Sequence, residues 1–143
     1  MVGWCSGLTL YAIAPSRSHS FFTDSLTAIP LAWTLDSRYF AVLLEPNAIP
    51  STSVSLAVID AATMTEKAIA TGGIGGAGFA PSRPERLVYG QVSALQGTAG
   101  VTLYTVNPDG FNRKQLTTDV DGLGPFWTAR GNVHFREVRS VEP

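Results

Sequence analysis

The stretch that decides the fold is LYTVNPDGFNRKQLT, residues 103–117 of the 143-residue chain. Two runs rich in apolar and β-branched residues flank the tetrapeptide NPDG at 107–110. Proline pre-sets the φ angle of a turn, and Asp109 and Gly110 tolerate left-handed backbone, so the tetrapeptide favours a tight chain reversal. The sequence therefore predicts a β-hairpin at this point.

The apolar run before this turn has two counterparts earlier in the chain. They are LYAIAP at 10–15 and LAVIDA at 56–61, to be compared with LYTVNP at 103–108. Aligning Ile13, Ile59 and Val106 gives spacings of 46 and 47 residues. The chain therefore repeats a segment of this length.

A second set of landmarks gives nearly the same period. Aromatic residues occur within AWT, GFA and FWT at Trp33, Phe79 and Trp127, which are 46 and 48 residues apart. Since two unrelated patterns share one period, we infer an internal repeat. Its copies span about 8–53, 54–100 and 101–138.

Each period has the pattern of four short strands. A turn-forming segment and then a run of β-branched and aromatic residues follow each aromatic landmark. We predict an all-β chain of about twelve antiparallel strands, equivalent to three four-stranded units. It would begin on a third and fourth strand, near 8–13 and 19–23, and close on a first and second strand, near 124–128 and 132–138.

This pattern resembles the TolB-like β-propeller repeat, a relative of the WD repeats. The family signature is Leu-Thr, a polar spacer, Trp-Ser-Pro-Asp-Gly and an apolar strand. The likeness is carried by WTLDSRYFA at 33–41, by residues 103–117 and by PFWTARG at 125–131. The segment FAPS at 79–82 keeps the proline but replaces Trp by Phe and runs one residue longer. The likeness covers the chain from about 8 to 138.

The resemblance implies a partial β-propeller in one segment, 1–143, that is not an enzyme and acts as an interaction platform for a protein partner. The anchors of the repeat would be Trp33, Phe79, Trp127, Asp36, Asp109 and Gly110. Because propellers bind through loops on a rigid frame, rim residues are expected among the turns. These rim residues are Asp36, Arg38, Arg83, Arg86, Asp109 and Arg130. Family members in the periplasm imply a bacterial, extracytoplasmic protein.

Closure of the propeller leaves two alternatives open. Propellers typically close with four to eight blades, which three units do not supply. Either the chain is a fragment of a longer protein, or two copies pair as a homodimer with six blades, each completing the half-blades of the other. The function has an alternative as well, an accessory or gating propeller of a prolyl-oligopeptidase-type serine hydrolase whose catalytic domain lies outside this chain.

The composition narrows the classes of function. With 45% apolar residues, 15% charged residues and a net charge of −1, the chain has neither the signature of disorder nor a basic footprint for nucleic acid. One cysteine excludes an internal disulfide framework. No apolar run reaches the roughly 20 residues of a membrane helix, and no charge precedes Arg17 as a signal peptide requires. We therefore expect no membrane span and no nucleic-acid partner.

Two motifs match catalytic or cofactor patterns but lack their context. GIGGAG at 73–78 fits a dinucleotide-binding pattern, yet Pro81 and Pro84 follow where a helix is required. We interpret it as a loop where two units approach closely, and expect no cofactor. GWCSG at 3–7 has the spacing of a nucleophile elbow around Cys5, without a strand before it or a helix after it.

The candidates for metal binding are equally incomplete. DVDG at 119–122 lacks the third oxygen residue and the final Glu of a calcium loop. His19 and His134 have no carboxylates close by in sequence, so we interpret them as packing or surface residues. We expect neither a metal site nor a catalytic set in this chain.

Overall fold

The strands of this protein are seen in a computed structural model, which describes residues 8–12, 17–21, 26–46, 54–82, 86–95, 98–120 and 125–135. All regular structure within these ranges is β, and none of it is helical. The strands are β1 (Leu8–Ala12), β2 (Arg17–Phe21), β3 (Leu26–Trp33), β4 (Tyr39–Pro46), β5 (Val54–Asp60), β6 (Thr65–Phe79), β7 (Leu87–Leu95), β8 (Thr98–Val106), β9 (Lys114–Val120), β10 (Phe126–Trp127) and β11 (Val133–His134). The predicted all-β class is thereby confirmed.

Seven of the strands form one antiparallel sheet in sequence order, β3 to β9. Each strand pairs with the next, and β3 and β9 are the two edges, so this sheet is not closed. Strand β1 pairs with β2, and β10 pairs with β11, as two separate hairpins within the described residues. The topology is a simple meander built from local connections.

The 15-residue strand β6 divides this sheet into two groups of four strands. Its residues 65–72 pair with β5, whereas residues 73–79 pair with β7. We call β3, β4, β5 and residues 65–72 the first quartet, and residues 73–79, β7, β8 and β9 the second quartet. Gly72, at the division, has a φ of +117°, a conformation that side chains rarely adopt.

The main hydrophobic core lies between the two quartets. The first quartet contributes a face with Ala41, Leu43, Leu56 and Val58, and the second contributes Phe79, Leu87, Tyr89 and Val106. These residues alternate with others whose side chains point to the opposite face, as the pleat of a strand requires. Strand β6 also contacts both β3 and β10. The two quartets therefore pack face to face.

A backbone hydrogen bond closes the connection after three strands at equivalent positions, across spans of five, six and four residues. The N–H of Thr34 donates to the carbonyl of Tyr39 at 2.9 Å after β3, and the N–H of Ala80 donates to that of Arg86 at 2.7 Å after β6. After β10, the N–H of Thr128 donates to the carbonyl of Asn132 at 2.8 Å. The residue before each donor is one of the predicted aromatic landmarks.

Within the described residues the observed strands lie near the predicted ones, except at the glycine run, and residues 83–85 of a predicted turn and 136–138 of the predicted last strand lie outside the described ranges. GIGGAG at 73–78 lies in β6, paired with β7, so the prediction of a loop was wrong. A bulge between Ile74 and Gly76 lets the strand continue through the glycines. As a result, one strand replaces two of the twelve expected. Cys5 and residues 121–124 lie outside the described residues.

Candidate functional site

Several turns gather at one end of the seven-stranded sheet, which we call the turn end: the β3–β4, β5–β6 and β8–β9 turns. Alternate turns of a meander fall at the same end, which groups the β3–β4 and β5–β6 turns of the first quartet. The β8–β9 turn joins them because Pro108 and Asp109 line one groove with Arg38 and Asp60. The N–H of Ala61, after β5, donates to the carbonyl of Arg38, before β4, at 2.8 Å. Arg86, before β7, donates from Nη2 to the carbonyl of Asn112, before β9, at 3.0 Å. These contacts hold neighbouring turns together.

The β3–β4 turn is fixed by a buried threonine and an aspartate. The hydroxyl of Thr34 accepts the N–H of Tyr39 at 2.9 Å and donates to Oδ1 of Asp36 at 2.8 Å. The same Asp36 oxygen accepts the N–H of Arg38 at 3.0 Å. Asp36 therefore orders the β3–β4 turn, and the ordered turn fixes the position of Arg38.

Arg38 is the best-defined cation of the turn end. Its Nη2 lies 3.2 Å from Oδ2 of Asp60, and its guanidinium lies 4.8 Å from the ring centroid of Tyr39. The hydrogen bond that Arg38 donates to Asp60 raises the pKa of Arg38 above its usual value, so the side chain is cationic at every physiological pH. About half of the Arg38 side chain is exposed, so its ion pair with Asp60 fixes the position of the guanidinium more than it stabilises the fold.

The β8–β9 turn has the geometry that its sequence predicts. Oδ1 of Asp109 accepts the N–H of Phe111 at 2.9 Å, and Gly110 has a φ of +86°. A Cβ at Gly110 would lie 3.1 Å from Cε of Lys67 in β6. This turn of the second quartet therefore rests directly on the first quartet.

An open groove of about 350 Å³ lies between that turn and the ends of β4, β5 and β6. It carries both signs of charge, and partial burial raises the pKa of the Glu66 carboxyl. Nζ of Lys67 lies 5.9 Å from the ring centroid of Phe111 beside it. The groove is lined by Arg38, Tyr39, Val58, Asp60, Thr65, Glu66, Lys67, Pro108 and Asp109.

Two apolar side chains project from the turn end. Leu35, in the β3–β4 turn, is 77% exposed, and Phe111, after the β8–β9 turn, is 69% exposed. They are the most exposed of the large hydrophobic residues in the described part of the chain. Single exposed apolar residues are common, but these two lie beside turns whose residues Arg38 and Asp109 line the charged groove.

A second polar cluster links the two quartets away from this groove. Tyr89 and Tyr104 stack with ring centroids 5.4 Å apart, and the Arg113 guanidinium lies 3.9 Å from the Tyr104 centroid. Arg113 donates to Oε1 of Gln91 at 2.9 Å, and Nε2 of Gln91 donates to the carbonyl of Thr71 at 2.8 Å. This chain of contacts connects β9 to the first quartet.

Burial raises the pKa of the Tyr89 phenol in this cluster, and the charge of Arg113 opposes the shift. The Tyr89 hydroxyl is buried with no hydrogen-bond partner among the described residues. A buried phenol of this kind stays protonated at neutral pH and does not act as a base. Its contribution is to packing between the quartets.

The three aromatic anchors have different surroundings. Phe79 is buried in the main core. Trp127 donates from Nε1 to the carbonyl of Gly78 at 3.0 Å and so ties β10 to β6. Trp33 stacks on Phe40 at 4.6 Å but remains 46% exposed, so it does not fill a gap between two units within the described residues.

The structure brings together some of the predicted rim residues. Arg38 and Asp109 line the same groove, and the Asp36 carboxylate accepts a hydrogen bond from the backbone N–H of Arg38. Arg86 contacts the β8–β9 turn, and Arg130 is exposed in the β10–β11 turn. Arg83 lies outside the described ranges.

Sequence reasoning missed Leu35, Lys67 and Phe111. Lys67 is brought to the groove by the packing of one quartet on the other, which no local pattern encodes. Leu35 and Phe111 could have been found, because each stands beside a turn in a position where an apolar residue has no strand to join.

Comparison of this chain with protein families, with curated proteins and with solved structures gives no match. The described part of the chain contains no helix with the length and apolarity of a membrane span. Within the same residues, no three His, Cys, Asp or Glu side chains are grouped so that they could hold a metal ion. The site is therefore interpreted from its own geometry.

Proposed function

We propose that this chain is part of a β-propeller of the TolB-like type and that its turn end is a platform for a protein partner. The two quartets would be two blades, the β1–β2 hairpin the outer strands of the blade before them, and the β10–β11 hairpin the inner strands of the blade after them. The 46- to 48-residue period, counted between Trp33, Phe79 and Trp127, supports this arrangement.

Packing between the strands also supports the architecture. In a propeller the innermost strand of each blade lies beside the innermost strands of its neighbours, around a common axis. Strands β3, β6 and β10 occupy this position in the three units, and β6 contacts both of the others. The hydrogen bond from Trp127 to Gly78 joins two of these strands at the level of the landmarks.

The observation that carries the platform function is the composition of the turn end. Protein interfaces are enriched in aromatic residues and arginine at their centre and have a polar rim. At the turn end, exposed Leu35 and Phe111 lie beside the turns that border a groove lined by Arg38, Tyr39 and Lys67. The side chains are mounted on turns fixed by Thr34, Asp36 and Asp109, so little entropy is lost when a partner binds.

The chemistry of the groove indicates the kind of partner segment it accepts. Arg38 is already paired with Asp60, whereas Lys67 faces the ring of Phe111. An acidic side chain on the partner would meet Lys67, and an adjacent apolar side chain would pack on Phe111. We therefore expect a peptide segment with an apolar residue next to a carboxylate.

A site-specific photocrosslinker tests the platform. Replacing Phe111 by a photoreactive phenylalanine analogue should capture one protein in cells that make this chain naturally. The same analogue at Thr118, which is exposed on β9 away from the turns, should not capture it. Equal capture at both positions, or capture at neither, would refute the platform.

Binding of the captured partner should then depend on the apolar side chains. Removal of an anchor at the centre of an interface costs at least about 1.4 kcal/mol, which is tenfold in affinity. We expect this loss for Phe111→Ala and for Leu35→Ala, measured by calorimetry, with Thr118→Ala as the matched control.

A further inference from the structure

Phe135 is exposed at a position that is fully buried in both quartets. Val133 pairs with Trp127 as Phe40 pairs with Trp33 and as Leu87 pairs with Phe79. Two residues further along, the equivalent positions are Val42, Tyr89 and Phe135. Val42 and Tyr89 are 0% exposed, whereas Phe135 is 42% exposed.

The difference follows from the neighbouring strand. Val42 is paired with Ala57 of β5, and Tyr89 is paired with Tyr104 of β8, so a third strand covers each of them. In the described residues β11 belongs to a two-stranded hairpin with β10. Phe135 therefore marks the place where a third strand would join.

Trp33 marks a second incomplete place at the other end of the sheet. At the equivalent positions Phe79 is buried, and Trp127 donates its indole N–H to the carbonyl of Gly78 on the inner strand of the preceding unit. On the same face of the first quartet, Val42 and Leu44 in β4 are buried, whereas Pro30 and Trp33 in β3 are exposed. The exposed part of that face lies along β3, where the inner strand of another unit would pack.

The two incomplete places are complementary. One lacks a third strand beside β11 within the described residues, and the chain has the separate β1–β2 hairpin, which the proposed architecture assigns to the third and fourth positions of a unit. The other lacks an inner strand beside β3, and the chain has such a strand in β10. A second copy of the chain would supply both elements at once.

We propose that two copies of this chain associate, with β11 of each copy pairing antiparallel with β1 of the other. This proposal rests on the propeller architecture proposed above, and it specifies the surface by which the copies meet. Strand β10 of the second copy then covers Trp33, and the Trp33 indole N–H donates to the carbonyl of Phe126 in that copy. Phe126 precedes Trp127 as Gly78 precedes Phe79, so this bond repeats the one from Trp127 to Gly78.

The symmetry of the pair accounts for a closed assembly. Each copy gives one hairpin and receives one, so the same contact occurs twice around a twofold axis, and neither β1 nor β11 remains open for a third copy. The contact is a strand addition, in which the main chain supplies affinity and the side chains fix the register. With a net charge of −1 on each chain, long-range repulsion between copies is small.

Sedimentation equilibrium of the full chain at micromolar concentration tests the pairing. The expected mass is twice the 15.2 kDa of one chain. Phe135→Asp places a charge in the proposed contact, and it should raise the dissociation constant at least about tenfold. Phe111→Asp, the same change at an exposed phenylalanine on the turn end, should leave the dimer intact. Circular dichroism of both variants checks that the strands still form.

A conservative change tests the indole bond separately. Trp33→Phe keeps an aromatic ring but removes the N–H donor and part of the indole surface, so it should weaken the dimer less than the charge introduced by Phe135→Asp. A wild-type chain that stays monomeric, or a dimer that survives Phe135→Asp, would overturn the inference. The photocrosslinking at Phe111 is independent of this result, so a monomeric chain that still captures a partner would refute the pairing and leave the platform in place.

Discussion

The two faces that meet in the main core are built from different side chains. The first quartet contributes small and aliphatic residues, Ala41, Leu43 and Leu56 among them, whereas the second contributes Tyr89 with Tyr104 stacked beside it. Both quartets nevertheless have the same strand order, and in both the residue after the aromatic landmark donates its N–H across the connection to the second strand. The two quartets therefore share a strand order although different side chains fill their faces.

The difference between the faces also gives the contact a direction. Bulky aromatic side chains on one unit fill the space left by small side chains on the next, so packing is complementary and not interchangeable. If the two faces were identical, a position would need a large side chain to fill the space opposite and a small side chain to leave that space. Unlike faces let one sequence pattern stack on another in a fixed order.

The aliphatic face can be broken by a single truncation. Leu56→Ala should lower the free energy of unfolding by about 2–5 kcal/mol, because Leu56 is fully buried between the quartets and its loss leaves a cavity. Urea denaturation measures the loss. Leu116→Ala, at a half-exposed leucine in β9, is the control and should change it by less than about 0.5 kcal/mol.

Hydrogen exchange shows whether the core is shared. Because Leu56 contacts both quartets, Leu56→Ala should reduce amide protection in β7 as well as in β5. Loss of protection confined to β5 would mean that the quartets unfold separately and that the contact between their faces contributes little.

The aromatic face should respond in the opposite direction. The Tyr89 hydroxyl is buried without a partner among the described residues, and an unsatisfied buried hydroxyl costs about 1–3 kcal/mol. Tyr89→Phe keeps the ring stack on Tyr104 and removes that cost, so it should raise the urea midpoint. Tyr104→Phe, on the same stack but only partly buried, is the comparison. A lower midpoint for Tyr89→Phe would show that the hydroxyl is satisfied.

Equivalent turn positions in the first quartet and in the β10–β11 hairpin carry Ser and Gly, so the two residues can be exchanged as a matched pair of substitutions. Ser37 and Gly131 are equivalent, since each donates its N–H to the carbonyl of the threonine three residues before it, at 2.9 Å. Their φ angles are +57° and +78°. Because a side chain is disfavoured there, Ser37→Gly should stabilise the fold and Gly131→Ser should destabilise it, each by about 1 kcal/mol. Equal signs in thermal denaturation would contradict the equivalence.

The smallest effect is expected at Glu66, whose carboxyl has a raised pKa in the folded chain because of partial burial. The protonated form is favoured by folding, so the contribution to stability is full below the pKa of the unfolded chain. It is lost as the pH rises through the raised pKa. Glu66→Gln should remove this part of the pH dependence between mildly acidic and neutral pH. An unchanged stability profile in Glu66→Gln would show that another group is responsible.

Much of the fold could be predicted because it is encoded locally. Asp109 and Gly110 define one turn, Gly131 another, and the period of the aromatic landmarks defines the unit. The path through the glycine run could not be predicted, because a glycine-rich segment has little intrinsic preference for strand and is held here by pairing with β7.

The candidate site was accessible to sequence reasoning only in part. Arg38 and Asp109 could be placed at turns, but their position on one groove depends on how the second quartet packs on the first. The contact of Gly110 with Lys67, 43 residues apart, is set by that packing. Residues that meet across two units carry no signal in either segment alone.

Strand β6 has a consequence for how such a chain grows during evolution. Its first part belongs to one quartet and its second part to the next, so the boundary between units falls inside a continuous strand at Gly72 and Gly73. A tandem duplication of one period anywhere along the gene therefore restores complete strands and complete units. The phase of the genetic copy is therefore free, whereas in the folded chain the boundary lies where β6 changes its pairing partner, beside Gly72.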